Sequence, residues 1–347
     1  MNSNDALPIG PEFPWLAPLA GFTDLPFRLL CREQGAAAAC TEMISAKGLV
    51  FGARQGHKGN QATRELLATC VEDTPLVVQL FGAEPEFLAE SIRILREWGF
   101  RWFDLNMGCS VPKVTKTGSG AAMLKDVRGA LAVAKAMLAE AGAGRVGFKM
   151  RLGWDADNVV YEELGRALEG LGAGWLSLHP RYARQGFSGQ AAFSPLETLS
   201  RAVSIPVLAS GDLFSAQDAL DRLSTGVRGV MFARGALHNP AIFRQYKAGL
   251  AGRLMPEVLP AGELQALILR HMALARDLTP GKPGRKGYSP ALLKMRTVVP
   301  RYVRHLPGIR HLRQALTRCE SWDDLTILLD DFFRQAGLNG NKEGACV

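Results

Sequence analysis

Long apolar runs are missing from this chain: nowhere do about 18 uncharged apolar residues follow one another, so no stretch reads as a membrane-spanning helix. Residues 1–14 hold polar side chains and three prolines but no apolar segment of the kind an export signal carries, so the expectation is a soluble, cytoplasmic protein. Cysteines are few and scattered. The six, at positions 31, 40, 70, 109, 319 and 346, show no close CxxC pairing and lack the density of a disulfide scaffold, so reduced thiols and no structural zinc are expected. A glycine-rich dinucleotide fingerprint is absent as well. The turn after the first apolar run reads Pro18-Leu19-Ala20-Gly21-Phe22-Thr23-Asp24, which counts against a doubly wound sheet, the main competing architecture.

What is present is enough apolar material to bury a large core: 347 residues, 47% of them hydrophobic, suit one barrel-sized domain and a smaller companion. The net charge of +8 is unevenly spread, with 17 Lys and Arg against 9 Asp and Glu after residue 240 and 24 of each before it. A basic back portion fits contact with a polyanion such as nucleic acid, and it fits a solvated basic helical surface equally well.

Apolar runs at Trp15–Ala20, Ala37–Met43, Leu76–Phe81, Trp102–Asn106, Val146–Met150, Trp175–His179, Val207–Ser210 and Gly229–Ala233 read as eight strands. Amphipathic segments such as Glu86–Trp98, Val127–Ala141, Asn158–Leu171 and Ala216–Leu223 lie between them, each long enough to cross back over a parallel sheet. Eight such units in about 240 residues predict an α/β fold, a (β/α)8 TIM barrel.

Barrel active sites form at the carboxyl ends of the strands, and here those ends carry polar chemistry. In order they are Pro18-Leu19-Ala20, Glu42, Gln79, Asn106 with Cys109 beyond, Lys149, His179 followed by Arg181, Ser210-Gly211-Asp212, and Ala233 with Arg234-Gly235. Each has an ordinary alternative: Gln79 satisfying a backbone group, Lys149 pairing with Glu42, His179 hydrogen-bonded in the core, Cys109 a small buried hydrophobe. Together on one rim they point to a ligand. The Gly-flanked turn and the Arg-Gly match a barrel phosphate site, the Asn and Gln amides fit the edge of a heteroaromatic ring, and Lys149 would stabilise negative charge on that ring. Flavin mononucleotide has both parts. Cys109, past a strand end and near Lys113 and Lys116, is placed to hand over a proton or to act as a nucleophile.

The strings Ala17-Pro18-Leu19-Ala20-Gly21-Phe22-Thr23-Asp24, Thr41-Glu42-Met43, Val78-Gln79-Leu80, Asp104-Leu105-Asn106-Met107-Gly108-Cys109, Lys149-Met150-Arg151, His179-Pro180-Arg181, Ser210-Gly211-Asp212 and Ala233-Arg234-Gly235 carry a specific likeness. Over roughly residues 14–245 the chain resembles the tRNA-dihydrouridine synthases, nearest their bacterial B-type branch. That resemblance implies reduction of the C5–C6 double bond of particular uridines in tRNA, with FMN as cofactor and NADPH as reductant. It implies that Pro18, Leu19, Ala20 and Gln79 line the flavin and that Lys149 contacts its pyrimidine end. His179, Ser210, Gly211, Asp212, Ala233 and Arg234 would hold ring and phosphate. Cys109 would be the acid that protonates C5 while hydride reaches C6; Asn106 would orient substrate or flavin, and Arg181 would meet substrate or phosphate. The chain departs from the family pattern at Ser210 for Asn, Leu19 for Met, Ser110 for Pro and Pro180 for Gly.

The expected organisation is an N-terminal arm at 1–14, the barrel at 15–250, a linker at 251–262 and a helical tRNA-binding domain at 263–340. Helices are expected at Glu263–Leu278, at Ala291–His305 with Pro300 as a kink or break, at His311–Arg318 and at Trp322–Ala336. Lys294, Arg296, Arg301 and Arg304, with Arg285 and Lys286 in the preceding loop, are the candidate phosphate contacts, and Tyr302 packs or stacks. Two other functions stay open on the residues: a flavin oxidoreductase acting on a small pyrimidine or enone, and an RNA-binding protein on a barrel without chemistry. Oligomeric state and the choice of uridine are not encoded in short motifs.

Overall fold

The computed structural model describes residues 6–56, 61–279 and 289–340. Eight parallel strands close a barrel: β1 (Trp15–Leu16), β2 (Ala38–Cys40), β3 (Leu76–Phe81), β4 (Trp102–Met107), β5 (Val146–Arg151), β6 (Trp175–His179), β7 (Val207–Ser210) and β8 (Gly229–Phe232). Each pairs with the next, and β8 pairs with β1 to complete the ring. Because side chains alternate along a strand, one set faces the interior and the other packs under the surrounding helices. The two sets form separate cores. Trp15, Val77, Trp175, Leu208 and Met231 fill the lower interior, while Leu80, Phe103, Phe148 and Leu176 face outward to the helices. Gly147 is required in the inner set because the Trp175 indole occupies the space of a β-carbon there. Below, Trp15 Nε1 donates to Pro8 O at 2.7 Å and Tyr246 Oη to Pro11 O at 2.7 Å, so the residues before β1 cover the amino-terminal end.

The barrel's first two strands are shorter than their apolar runs. The run after Leu16 passes through Pro18, which has no N–H for a ladder, and turns into the rim. After Cys40 the chain leaves the sheet and rejoins it at Ile44–Ser45, beside the end of β3.

Helices Ile242–Leu250, Ala261–Leu278, Pro290–Tyr302, Ile309–Leu316 and Trp322–Gly340 follow β8 and the short helix after it. Pro300 lies inside its helix, in the last turn, two residues before the helix ends at Tyr302. One apolar core runs through barrel helices and the later helices alike, joining Phe27, Leu30 and Phe243 to Ile268, Met295, Val299 and Leu329. Tyr302 packs in this core rather than stacking at a surface. Its hydroxyl and His271 Nδ1 are hydrogen-bonded at 2.8 Å, and Phe27 lies against the imidazole at 5.6 Å between centroids.

Burial pulls the pKa of His271 down to about 4. The unfolded chain therefore binds this proton first, near the ordinary value of about 6.5, and the stability gained by keeping His271 neutral is lost as pH falls from there. The loss amounts to roughly 3 kcal/mol by about pH 4. Thermal unfolding followed between about pH 7 and pH 4.5 should show a steeper fall for the native chain than for His271→Gln; parallel curves would contradict it.

Candidate active site

A cleft opens at the carboxyl ends of the barrel strands, with an empty volume, open mouth included, of about 1070 Å³. That size suits a cofactor. Every candidate flavin residue read from the sequence lines it, from Pro18, Leu19 and Ala20 through Gln79, Lys149 and His179 to Ser210, Gly211, Asp212, Ala233 and Arg234. Cys109 and Asn106 line it too. Lys113 and Lys116 are exposed and take no part in its wall.

Strand register explains the polar layer. Gln79 on β3 stands opposite Asp104 on β4, and Asn106 opposite Lys149 on β5. Gln79 Nε2 donates to Asp104 Oδ2 at 2.7 Å, and Asn106 Nδ2 donates to Gln79 Oε1 at 2.9 Å. Asn106 Oδ1 then accepts from the backbone N–H groups of Gly108 and Cys109, at 3.1 and 2.9 Å. The loop bearing the thiol is held from other sides as well. Arg151 Nε donates to Gly108 O at 2.8 Å, and Ala121 N donates to Cys109 O at 2.9 Å.

Lys149 Nζ has no hydrogen bond or ion pair among the described residues. Burial lowers its pKa, and the Asp104 carboxylate works against that shift; burial in turn raises the pKa of Asp104. The carboxylate that faces Lys149 electrostatically is thus Asp104. Glu42, the partner considered from the sequence, instead accepts from Gly21 N at 2.5 Å. His179 is kept neutral by burial and by the field of Lys149, Arg151, Arg181 and Arg234. An Arg181 N–H lies 3.2 Å from His179 Nε2, and since arginine only donates, Nε2 is the acceptor and Nδ1 carries the proton. Gly211, at φ 95°, has the His179 ring where a side chain would start, so only glycine fits the turn after β7.

Three expectations need correction. Arg181 is 1% exposed and does not reach the cleft; its guanidinium is held by Asp212 at 2.7 and 2.5 Å and by the carbonyls of Ser188 and Gly189. The Asp212 carboxylate is likewise taken up. Although burial pushes its pKa upward, Arg181, the Ala191 N–H and Arg234 hold it low, so only the backbone of Asp212 is open to an anion. Lys294 pairs with Asp24, the residue that caps the barrel helix Leu25–Glu33, at 2.7 Å, so its ammonium is already engaged by a carboxylate. Arg285 and Lys286 lie outside the described residues.

Arg296 lines a different cavity, with His238, Arg301, Arg304 and Arg313 around it. Positive potential is concentrated there. Burial, then Arg304 and Arg301, pull the pKa of His238 down to about 4. Sequence reading gave no role to Asp104, Arg151, Phe187 and Phe214, although the first two stand in the strings that carry the family likeness. The first two had a signal, being two residues from Asn106 and Lys149 and therefore on the same strand face. The phenylalanines sit on rim loops without periodicity; Arg234 lies between their rings, 4.2 Å from Phe187 and 4.9 Å from Phe214.

Comparison with known proteins agrees with this layout. A family model described as dihydrouridine synthase matches residues 15–337. The chain is 32% identical over 332 residues to the tRNA-dihydrouridine synthase B of Pseudomonas aeruginosa, covering 95% of each. It is 31% identical over 327 residues to a probable tRNA-dihydrouridine synthase of Treponema pallidum, covering 91% of this chain and 92% of that one. Among solved structures, a morphinone reductase mutant in complex with tetrahydroNAD superposes with a TM-score of 0.50 at 13% identity, over 68% of this chain and 86% of that one, a likeness of fold alone. With matches that span nearly its whole length, the chain belongs to the dihydrouridine synthase family.

Proposed function

We propose that this protein reduces the C5–C6 double bond of particular uridines in tRNA to dihydrouridine, using FMN held at the barrel mouth and NADPH as the source of electrons. One observation carries the reading: a cysteine on a pinned loop faces the same cleft as a buried ammonium that makes no hydrogen bond or ion pair among the described residues. The donor set fits FMN. Gln79 keeps one amide N–H beyond its bond to Asp104, Lys149 offers a cation to the pyrimidine end, and neutral His179 offers a ring edge. The turn at 210–212 and Arg234 suit a phosphate. When bound, FMN supplies the hydride that reaches uracil C6. Cys109 gives its proton to C5, so that negative charge does not build up on the uracil oxygen. Asn106 orients the loop that carries the thiol. Phe187 and Phe214 narrow the mouth around Arg234.

The target uridine has to leave its stack to enter such a cleft, which calls for a grip on the RNA elsewhere. Residues 263–340 supply it in this reading, through the basic cavity of Arg296, Arg301, Arg304 and Arg313. Charge reversal at Arg301 and Arg304 should weaken tRNA binding and reduce its salt slope by about 1.5, while NADPH oxidation without tRNA is unchanged. An unaltered slope would place the RNA on another face.

The function itself is tested by supplying purified protein with NADPH and tRNA from cells lacking dihydrouridine. Flavin absorbance in the protein and dihydrouridine in the tRNA are expected. Reduction of free uracil or an enone with none in tRNA would support a small-substrate oxidoreductase instead.

A further inference from the structure

The cleft at the barrel mouth and the basic cavity beside the later helices meet at one pair of rings. Phe214 lines the first and His238 the second, and the two rings lie 6.2 Å apart and 15° from parallel. The series continues on the cleft side. There the Arg234 guanidinium is 4.9 Å from the Phe214 ring and 4.2 Å from that of Phe187, and Phe187 stacks on His179 at 6.1 Å. Rings and cations therefore alternate from the cleft to the cavity that Arg301, Arg304 and Arg313 line. We propose that this strip carries a single strand of RNA, with Phe214 as the surface on which a nucleobase beside the extruded uridine stacks. It rests on tRNA being the substrate.

Phe214 is 40% exposed and Phe187 60%. One such ring would need no explanation, but two flanking a single guanidinium, in line with a group of arginines, form a surface. Arg234 and His238 are one turn apart on the helix Arg234–His238, so the Phe214 ring can lie over both and still turn part of its surface outward. Its backbone is held still. Asp218 Oδ2 accepts from the N–H groups of Phe214 and Ser215 at 2.9 and 2.8 Å, and Ser215 Oγ accepts from Asp218 N at 3.1 Å, which ties Phe214 to the start of the helix Ala216–Leu223. A platform fixed in advance gives up little freedom on binding. Charge selects the partner. A polynucleotide offers a phosphate and a flat base at every step, as the strip requires, whereas an apolar protein segment over the same rings would desolvate the arginines without a counter-charge. Extruding the uridine also strips its neighbour of one stacking face, and a phenyl ring restores it.

The test is the affinity of the full-length protein, saturated with FMN and without NADPH, for end-labelled tRNA lacking dihydrouridine, read by fluorescence anisotropy over a series of salt concentrations. Phe214→Leu keeps an apolar side chain but has no flat face. Its Kd should rise about 5- to 150-fold, the effect of one lost base–aromatic stack. The slope of log affinity against log salt should stay native, because no phosphate contact is removed, in contrast to charge reversal at Arg301 and Arg304. Phe214→Trp, with a wider face, should bind within about threefold of the native protein or more tightly. A ring that only packs against Arg234 and His238 would lower the melting temperature in Phe214→Leu and leave tRNA affinity alone. Native affinity in that variant overturns the proposal, as do equal losses in the Leu and Trp variants. A loss confined to FMN affinity would assign Phe214 to the flavin pocket and overturn it too. Native protein that binds tRNA yet forms no dihydrouridine would defeat the functional reading and leave the affinity ratios as they are.

Discussion

Cys109→Ala is expected to retain FMN and to oxidise NADPH, yet to reduce uridine in tRNA about 10²- to 10⁴-fold more slowly, the contribution of a well-placed general acid. The structure makes this substitution interpretable, because the loop is held by backbone groups and not by the sulfur. Asn106 Oδ1 accepts from the Cys109 N–H, Ala121 N donates to its carbonyl, and Arg151 holds Gly108 O. Removing Sγ leaves all three contacts. Loss of activity then reports on the thiol and not on a collapsed loop. The measurement is single-turnover reduction of unmodified tRNA by prereduced enzyme, and a native rate would remove Cys109 from the mechanism.

Lys149→Met should be the other severe substitution, lowering the rate of FMN reduction about 10²- to 10³-fold by removing the charge that stabilises the developing anion. Methionine fills a similar volume, and taking away a desolvated ammonium relieves one burial cost. Another appears: Asp104 loses the cation that draws its pKa down, so the carboxyl takes up a proton. A folded but slow enzyme is the expected result, with stopped-flow absorbance as the readout. In the native enzyme FMN reduction should decline as alkaline pH removes the Lys149 proton, because burial has lowered its pKa, and Lys149→Met should lack that decline. Native turnover in the variant would mean that Lys149 has no part in the chemistry.

Much of the barrel was legible because its signals are local. Leu76–Phe81, Trp175–His179 and Val207–Ser210 are strands over the same residues as their apolar runs, being buried on both faces and bounded by turn residues. The first strand stopped short because Pro18 overrides its apolar neighbours. Site chemistry was legible where it lies at strand ends, and period-2 alternation also contained Asp104 and Arg151. Charge at long range was not. Nothing local to Lys294 announces Asp24, some 270 positions earlier in the chain, and nothing local to Arg181 announces Asp212. A basic residue looks free until the partner that packs against it is known, and for that reason two of the expected ligand contacts became structural ion pairs. The continuity of the core from Phe27 to Leu329 was equally hidden, since periodicity marks an apolar stripe without showing what covers it.

The central claim is that Cys109 delivers a solvent-derived proton to C5 while C6 receives hydride. It is tested most directly by running the reaction with unmodified tRNA in deuterated water and locating the label in the dihydrouridine formed. The account predicts deuterium at C5 with the native enzyme, and almost no product labelled there in the same time from Cys109→Ala. Product without deuterium at C5, or labelling at C5 at the native rate without the thiol, would contradict it.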